Sequence, residues 1–129
     1  MEKSLIVLRG LPGSGKSTVA KLFNAPICCA DDYVYVNGEY MWTPQRAARA
    51  HILCQAKCES LMKKNESIIV IANTNVKARD SRAYTILAEQ FGYTVFSLVV
   101  ENRHGGTNDH GVTPEKLKDM EQNFSVKLT

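Results

Sequence analysis

The segment Gly10-Leu-Pro-Gly-Ser-Gly-Lys-Ser17 has residue types and a spacing suited to holding a chain of phosphate groups. It fits the pattern G-x-x-x-x-G-K-[ST], lies directly after an apolar run at residues 5–8, and precedes a helical stretch. Glycines let successive backbone N–H groups turn toward one phosphate chain, and the following helix adds its positive N-terminal end. The pattern therefore predicts binding of a nucleoside triphosphate.

Two side chains in this phosphate-binding loop (residues 10–17) have predicted roles of their own. Lys16 supplies a point charge for the β- and γ-phosphates, and the Ser17 hydroxyl is a ligand for Mg²⁺. We therefore expect ATP and Mg²⁺ as cofactors. The predicted nucleotide contacts are Gly10, Pro12, Gly13, Ser14, Gly15, Lys16, Ser17 and Thr18.

The elements that position this loop alternate along the chain. Apolar runs predict strands at residues 5–8, 27–30, 68–71 and 93–100, and three- and four-residue spacing predicts helices at 18–23, 44–64, 77–91 and 114–123. Such alternation predicts an α/β three-layer fold with a small parallel sheet of about four to five strands and helices on both faces. With 129 residues the chain is expected to form a single domain, residues 1–129.

Composition sets further bounds. Hydrophobic content of 44% and charged content of 22% are ordinary for a globular protein, and the net charge of +3 does not oppose an anionic substrate. The early start of the first strand predicts no signal peptide and no membrane segment, hence a cytoplasmic location. The spacing of the four cysteines suits reduced core thiols better than a disulfide framework or a zinc site. No sequence feature specifies an oligomeric state.

Ligands of open parallel sheets bind beyond the carboxyl ends of the strands. That rule places four segments along one rim: residues 10–17, Asp31-Asp32, residues 72–75 and residues 101–112. A carboxylate at this rim can accept the proton of an attacking hydroxyl, which is a kinase feature, although turn or capping roles remain an alternative for the aspartate pair. The short chain also leaves little room for the extra elements of motors or transporters.

With these segments in place, the chain resembles the phage-type polynucleotide 5′-hydroxyl kinases and related AAA-family or zeta-toxin-like P-loop proteins. The resemblance covers nearly the whole chain and rests on four segments: residues 10–18, Asp31-Asp32-Tyr33, Asn73-Thr74-Asn75 and Asn108-Asp109-His110-Gly111-Val112-Thr113-Pro114. It implies a P-loop NTPase/kinase fold. It also implies that Asp31 is the general base, that Lys16 and Ser17 hold phosphates and Mg²⁺, and that residues 101–113 or so form a lid.

The lid of such kinases carries an arginine against the phosphates, and Arg103 is the arginine that this segment offers. Arg103 is therefore predicted to stabilise charge on the transferred group. His104 and His110 are candidates either for phosphate contact or for loop and capping roles.

Two positions depart from the family pattern. The phage enzyme has an arginine for the substrate phosphate three residues after the catalytic aspartate, and here Val34 occupies that position. Arg46, Arg49 and His51 on the next helix are candidates to replace it, or they form a solvated surface. The second departure is Ala72-Asn73, where relatives carry an aspartate at one position or the other. Mg²⁺ would then rely on Ser17, the triphosphate and water, with Asp31 as a further candidate ligand.

Four aromatic residues flank the expected acceptor position: Tyr33, Tyr35, Tyr40 and Trp42. They suit stacking against a nucleobase, and they equally suit packing over the sheet edge.

The sequence thus predicts an ATP-dependent kinase that phosphorylates a hydroxyl acceptor, in the first place the 5′-hydroxyl of RNA or DNA. Two alternatives stay open: a kinase of a small hydroxylated metabolite or nucleoside, and an ATP-binding module without phosphotransfer.

Overall fold

Short apolar runs form a four-stranded parallel sheet that organises the molecule. In the computed structural model, residues 2–108 and 110–128 are described, so Asp109 of the fourth family segment lies outside the described residues. The strands of the main sheet are β1 (Ser4–Arg9), β2 (Ile27–Cys28), β5 (Ile68–Ala72) and β6 (Thr94–Val99), and a separate hairpin consists of β3 (Tyr35–Val36) and β4 (Glu39–Tyr40). The helices are α1 (Lys16–Lys21), α2 (Pro44–Lys63), α3 (Arg82–Phe91) and α4 (Pro114–Asn123).

The strand order in the main sheet is β2-β5-β1-β6, and every pairing is parallel. Leu5 pairs with Ile69 of β5 and with Val95 of β6, so the phosphate-binding loop leaves the sheet between two neighbouring strands. The predicted α/β architecture, with a small parallel sheet, is confirmed.

The two faces of the sheet are covered by different helices, because alternate residues of a strand point to opposite sides. Leu5 and Val7 of β1 pack with α2 and α3 in one core cluster. Ile6 and Leu8 pack with Ala20 of α1 in the other. Helices therefore lie on both faces, as expected of a three-layer fold.

Helix ends follow local rules that the sequence displays. Thr43 caps α2, since its Oγ1 accepts a hydrogen bond from the Arg46 N–H at 3.1 Å. Thr113 caps α4 in the same way, with the Lys116 N–H 3.2 Å from its Oγ1. Gly92 ends α3 in the left-handed conformation with φ 76°.

Two predicted elements differ from the structure, and one hairpin was not predicted. The predicted strand 27–30 is shorter, because Ala30–Tyr33 forms a turn of 3₁₀ helix that turns the chain out of the sheet. The predicted helix 77–91 is split into a 3₁₀ turn, Ala78–Ser81, and α3. Asn37-Gly38 forms a tight turn that joins β3 and β4, two short strands that the sequence did not indicate.

Arg9, the last residue of β1, fastens the C-terminal segment to the sheet. Its side chain is buried and donates to the carbonyls of Asn75 at 2.8 Å, Val76 at 3.0 Å and Ser125 at 2.7 Å. The guanidinium also lies 4.8 Å from the centroid of the Phe124 ring. Burial lowers the pKa of Arg9, and Asp80 opposes that change. These contacts place α4 beside the strand that leads into the phosphate-binding loop.

No helix within the described residues combines the length and the apolar character needed to cross a membrane.

Candidate active site

The carboxyl edge of the sheet opens into a cavity of about 1090 Å³. Segments distant in sequence line it, including the phosphate-binding loop, Asp31, the residues after β5, the lid and α4. The structure thus brings Lys16 and Asp31 into the same cavity. Asp32 does not line it, so only one member of the aspartate pair faces the loop.

Two glycines give the phosphate-binding loop its shape. Gly13 has φ 85° and Gly15 has φ 99°, conformations that other L-residues rarely adopt. The Lys16 ammonium curls over the loop and donates to the carbonyls of Gly10 at 2.7 Å and Leu11 at 3.1 Å. Lys16 is therefore held at the centre of the loop, beside the cavity.

The other predicted nucleotide contacts divide into two groups. Pro12, Gly13, Gly15, Ser17 and Thr18 line the cavity together with Lys16, whereas Gly10 and Ser14 lie buried beneath it. The buried Ser14 Oγ has no hydrogen-bond partner within the described part of the chain. It lies close enough to Gly10 that a Cβ on that glycine would approach it to 2.5 Å.

The lid backbone lies directly against the phosphate-binding loop. A Cβ on Gly13 would come within 2.7 Å of the Thr107 carbonyl carbon and 2.8 Å of the Asn108 nitrogen. The His104 ring lies over the next glycine, 3.3 Å from the position a Gly15 Cβ would take. The glycines thus permit a close contact between lid and loop as well as an unusual backbone conformation.

Asp31 is held from two sides by aromatic side chains. The Tyr40 hydroxyl donates to Asp31 Oδ1 at 3.1 Å, and His110 Nε2 lies 3.7 Å from Oδ2. The Tyr40 and His110 rings are stacked with centroids 4.0 Å apart. This Tyr40–His110 clasp joins the β3–β4 hairpin to the lid across the carboxylate.

The Asn73 side chain is hydrogen-bonded to the backbone just before Asp31. Asn73 is 7% exposed, and its Oδ1 accepts a hydrogen bond from the Ala30 N–H at 2.8 Å. Its amide nitrogen donates to the Tyr84 hydroxyl at 3.2 Å. The Asn73 side chain therefore ties the end of β5 to the turn carrying Asp31.

Burial and charge shift the pKa of several groups around the cavity. Desolvation lowers the pKa of Lys16, and the nearby Asp31 carboxylate counteracts part of that effect. Desolvation and Asp31 raise the pKa of Cys29 to about 11, so this thiol is protonated near neutral pH. Desolvation, followed by the Asp31 charge, also raises the pKa of Tyr40, which keeps its hydroxyl a hydrogen-bond donor.

Arg103, the predicted lid cation, is not brought into the cavity. Its Nε lies 2.9 Å from Glu101 Oε1, and its side chain is 83% exposed. A different cation of this region, Lys116 in the first turn of α4, does line the cavity. Nothing in the spacing of the motifs pointed to Lys116, because its position depends on how α4 packs.

The residues predicted for the acceptor side also fall into two groups, those that line the cavity and those that do not. Val34 is 2% exposed and belongs to the core, so its position offers nothing polar to a substrate. Among the three α2 candidates, His51 lines the cavity, whereas Arg46 and Arg49 do not. Of the aromatic residues, Tyr40 and Trp42 line it, and Tyr35 instead makes an edge contact with Tyr40 at 5.5 Å between centroids.

The residues present fit a nucleoside triphosphate with Mg²⁺. The loop has a Cβ-free cradle at Gly13 and Gly15, a lysine at its centre, and an exposed serine on the first turn of α1. Within the described residues there is no cluster of three or more His, Cys, Asp or Glu suited to a metal. The Ser17 hydroxyl is thus the protein group that the loop offers to Mg²⁺, alongside phosphate oxygens and water.

Comparison with known proteins agrees with this geometry. A family model described as an AAA domain matches residues 5–105. The human NEDD4-binding protein 2 is 32% identical over 132 residues, which covers 93% of this chain and 8% of that protein. A protein of Acanthamoeba polyphaga mimivirus named bifunctional polynucleotide phosphatase/kinase is 33% identical over 101 residues, covering 78% of this chain and 21% of the viral one.

Solved structures share the fold. A chain in the structure of the Pnkp1/Rnl/Hen1 RNA repair complex superposes with a TM-score of 0.72 at 21% identity, covering 95% of this chain and 44% of that chain. The chain therefore corresponds to a small part of these two sequence relatives and to less than half of this structural neighbour.

Proposed function

The chain belongs to this AAA-domain family and has the P-loop kinase fold, and from that premise we propose that it is an ATP-dependent kinase of a hydroxyl acceptor. The acceptor we propose is the 5′-hydroxyl of RNA or DNA. The observation that carries the proposal is Asp31, whose carboxylate shares one cavity with Lys16 and is held there by Tyr40. The names of the viral relative and of the RNA repair complex support a polynucleotide acceptor.

The loop side of the cavity binds the triphosphate. Backbone N–H groups around Gly13 and Gly15 surround the phosphates, and Lys16 exchanges its bonds to the loop carbonyls for phosphate oxygens. Bound Mg²⁺, held by Ser17, supplies neutralisation of the phosphate charge. This exchange of contacts is favourable. Burial disfavours the charged form of the Lys16 amine, and a phosphate provides a negative charge next to it.

Asp31 acts on the acceptor. The acceptor oxygen attacks the γ-phosphorus, its proton passes to the Asp31 carboxylate, and the bond to the bridging oxygen breaks to release ADP. The Tyr40 hydroxyl occupies Oδ1, which leaves Oδ2, on the His110 side, for the acceptor proton. Tyr40 thus orients the base, and Asn73 fixes the backbone that carries it.

The lid closes the site against water and provides cationic charge. His104 and the Thr107 backbone already lie against the loop. Lys116 faces the cavity, whereas Arg103 would have to leave Glu101 and swing inward on the glycines Gly105 and Gly106. We include both cations in the proposal as groups that stabilise charge on the transferred phosphoryl group.

A specific observation favours a second candidate, a kinase of a nucleoside or other small hydroxylated molecule. The position of the family arginine is the buried Val34, and neither Arg46 nor Arg49 lines the cavity. A small neutral acceptor needs no such cation.

The test is transfer of labelled γ-phosphate from ATP with Mg²⁺ to short RNA and DNA oligonucleotides that carry a 5′-hydroxyl. We expect 5′-end label with the native protein and none with Asp31→Ala or Lys16→Ala. Asp32→Ala is the matched control, because this exposed neighbour does not line the cavity, and it should retain transfer. Absence of label from a protein that binds ATP would overturn the polynucleotide proposal, and transfer to a nucleoside instead would establish the second candidate.

A further inference from the structure

The wall of the cavity beyond Asp31 differs in chemistry from the loop side. It consists of Trp42, which follows the hairpin, and one face of the first turns of α2. Four α2 residues at helical spacing form that face: Ala47, Ala50, His51 and Gln55. We call these five residues the acceptor wall.

The acceptor wall contains no arginine or lysine. Throughout the described residues, the lysines that line the cavity are Lys16 in the loop and Lys116 on α4, and no arginine lines it. Arg46, at the start of α2, turns back toward the Met41 carbonyl, 3.4 Å from its Nη1. A phosphate group on this side would therefore lack the charged, bidentate partner that usually holds one.

Trp42 offers a large flat surface to the cavity. Its side chain is 59% exposed, and no stacking or hydrogen-bond partner for it is found within the described residues. Tyr40, two residues before, already stacks on His110. Ala47 and Ala50, which line the same cavity, have small side chains and add little bulk to it. Exposed indole rings beside such a space are stacking platforms for nucleobases.

The polar groups of the acceptor wall suit the edge of a base. Gln55 is half-buried and His51 is exposed, and both side chains are without a hydrogen-bond partner among residues 2–108 and 110–128. The Gln55 amide has both hydrogen-bond donors and an acceptor. It can therefore pair with the donors and acceptors along the edge of a nucleobase, whereas a phosphate anion offers acceptors only.

We propose that the acceptor is held through its 5′-terminal nucleobase, stacked on Trp42 against the small side chains of α2, and that its first internucleotide phosphate is not gripped. This inference rests on the proposed 5′-hydroxyl kinase function and names how that site selects its acceptor. Asp31, which lines the same cavity, then receives the 5′-hydroxyl of the nucleoside so bound.

The experiment compares three 5′-hydroxyl oligonucleotides of equal length: an unmodified one, one with a neutral methylphosphonate at the first linkage, and one with an abasic 5′-terminal sugar. We expect kcat/KM to change less than about threefold with the methylphosphonate and to fall about tenfold or more with the abasic end. Trp42→Ala should lower kcat/KM about tenfold on the unmodified oligonucleotide and little on the abasic one, whereas Trp42→Phe should keep most of the activity.

The opposite pattern, a large loss with the methylphosphonate and little loss with the abasic end, would overturn the inference while leaving the kinase function intact. Equal effects of Trp42→Ala on the unmodified and abasic oligonucleotides would also overturn it, because stacking would then not be the role of Trp42. If the native protein labels none of the three, the proposed function itself fails. A thermal melt of each variant shows whether a loss reflects unfolding, and Trp42→Phe provides the test if Trp42→Ala is unstable.

Discussion

In the proposed kinase, the two sides of the cavity hold their ligands by different means. The loop side relies on backbone N–H groups, two glycines in left-handed conformations and the charge of Lys16. The acceptor wall relies on side chains: an exposed indole, two alanines and two uncharged polar groups. The loop side is therefore fixed by a short contiguous segment, whereas the acceptor wall exists only once the hairpin and α2 pack together.

This difference has a consequence for specificity. Backbone groups and a point charge bind phosphates of any nucleotide, so the loop side alone does not choose a substrate. Stacking and an amide edge discriminate among acceptors, although each contact contributes modestly. Substitutions on the loop side should consequently abolish turnover, and substitutions on the other side should change which acceptor is used.

The largest effect is expected for Lys16→Met, which removes the charge of the loop side and keeps the length of the side chain. We expect kcat to fall by about 10²–10³, because a positioned donor to the transferred group is lost. Steady-state kinetics with saturating ATP check this. A loss below tenfold would mean that backbone groups suffice, and the proposed contrast between the two sides would have to be revised.

The same variant should be more stable than the native protein without nucleotide. Burial lowers the pKa of Lys16 from its ordinary 10.5, so the protonated amine opposes folding. That opposition is complete below the lowered pKa and disappears as the pH rises toward the ordinary value. We therefore expect a higher melting temperature near neutral pH, with a gap that narrows in alkaline buffer. An equal gap at every pH would exclude the charge of Lys16 as the cause.

A smaller effect is expected for Gly13→Ala, which places a Cβ within 2.7 Å of the Thr107 carbonyl carbon. Strain at positive φ and the lid contact together should weaken ATP binding about 10- to 100-fold. Gly38→Ala is the matched control, since Gly38 has φ +82° but nothing lies within 4 Å of its added Cβ. Similar losses of ATP affinity in both variants, measured by titration, would show that lid contact is not involved.

Tyr40→Phe should lower kcat about tenfold and leave KM for ATP nearly unchanged. The substitution keeps the stack with His110 but removes the hydrogen bond to Asp31, which orients the base. Tyr35→Phe is the control, because Tyr35 contacts the Tyr40 ring and does not line the cavity. An unchanged kcat in Tyr40→Phe would assign the hydroxyl a structural role only.

The smallest effect is expected from two cations, Arg103 in the lid and Lys116 on α4. Lys116→Gln should lower kcat/KM for ATP by a few-fold, and Arg103→Gln should lower it less, because Arg103 is exposed and paired with Glu101. The reverse order in the same assay would show that the lid swings Arg103 inward during turnover, as the family resemblance implies.

The sequence predicted the sheet and the helices well because their signals are local. Apolar runs, the Thr43-Pro44 and Thr113-Pro114 caps, and Gly92 each act within a few residues of the element they define. The short β3–β4 hairpin escaped prediction, since two-residue strands carry no periodic pattern.

The site was predictable only in part, because only some of its contacts are between residues close in sequence. The phosphate-binding loop is contiguous, so its spacing reveals it. The Tyr40–His110 clasp joins residues 70 positions apart in the chain, and Lys116 faces the cavity through the packing of α4. Asn73 illustrates the limit further: the family resemblance marks Ala72-Asn73 only as a departure, whereas the structure shows that the Asn73 amide oxygen accepts a hydrogen bond from the Ala30 N–H.

Arg9 bears on how this domain can be joined to other polypeptides. The family match ends at residue 105, yet the guanidinium at the end of β1 is held by the carbonyl of Ser125 and the ring of Phe124. If this chain were cut at residue 105, the buried Arg9 guanidinium next to the phosphate-binding loop would lose the Ser125 carbonyl and the Phe124 ring. The unit of this chain that keeps every described partner of Arg9 therefore extends through Ser125.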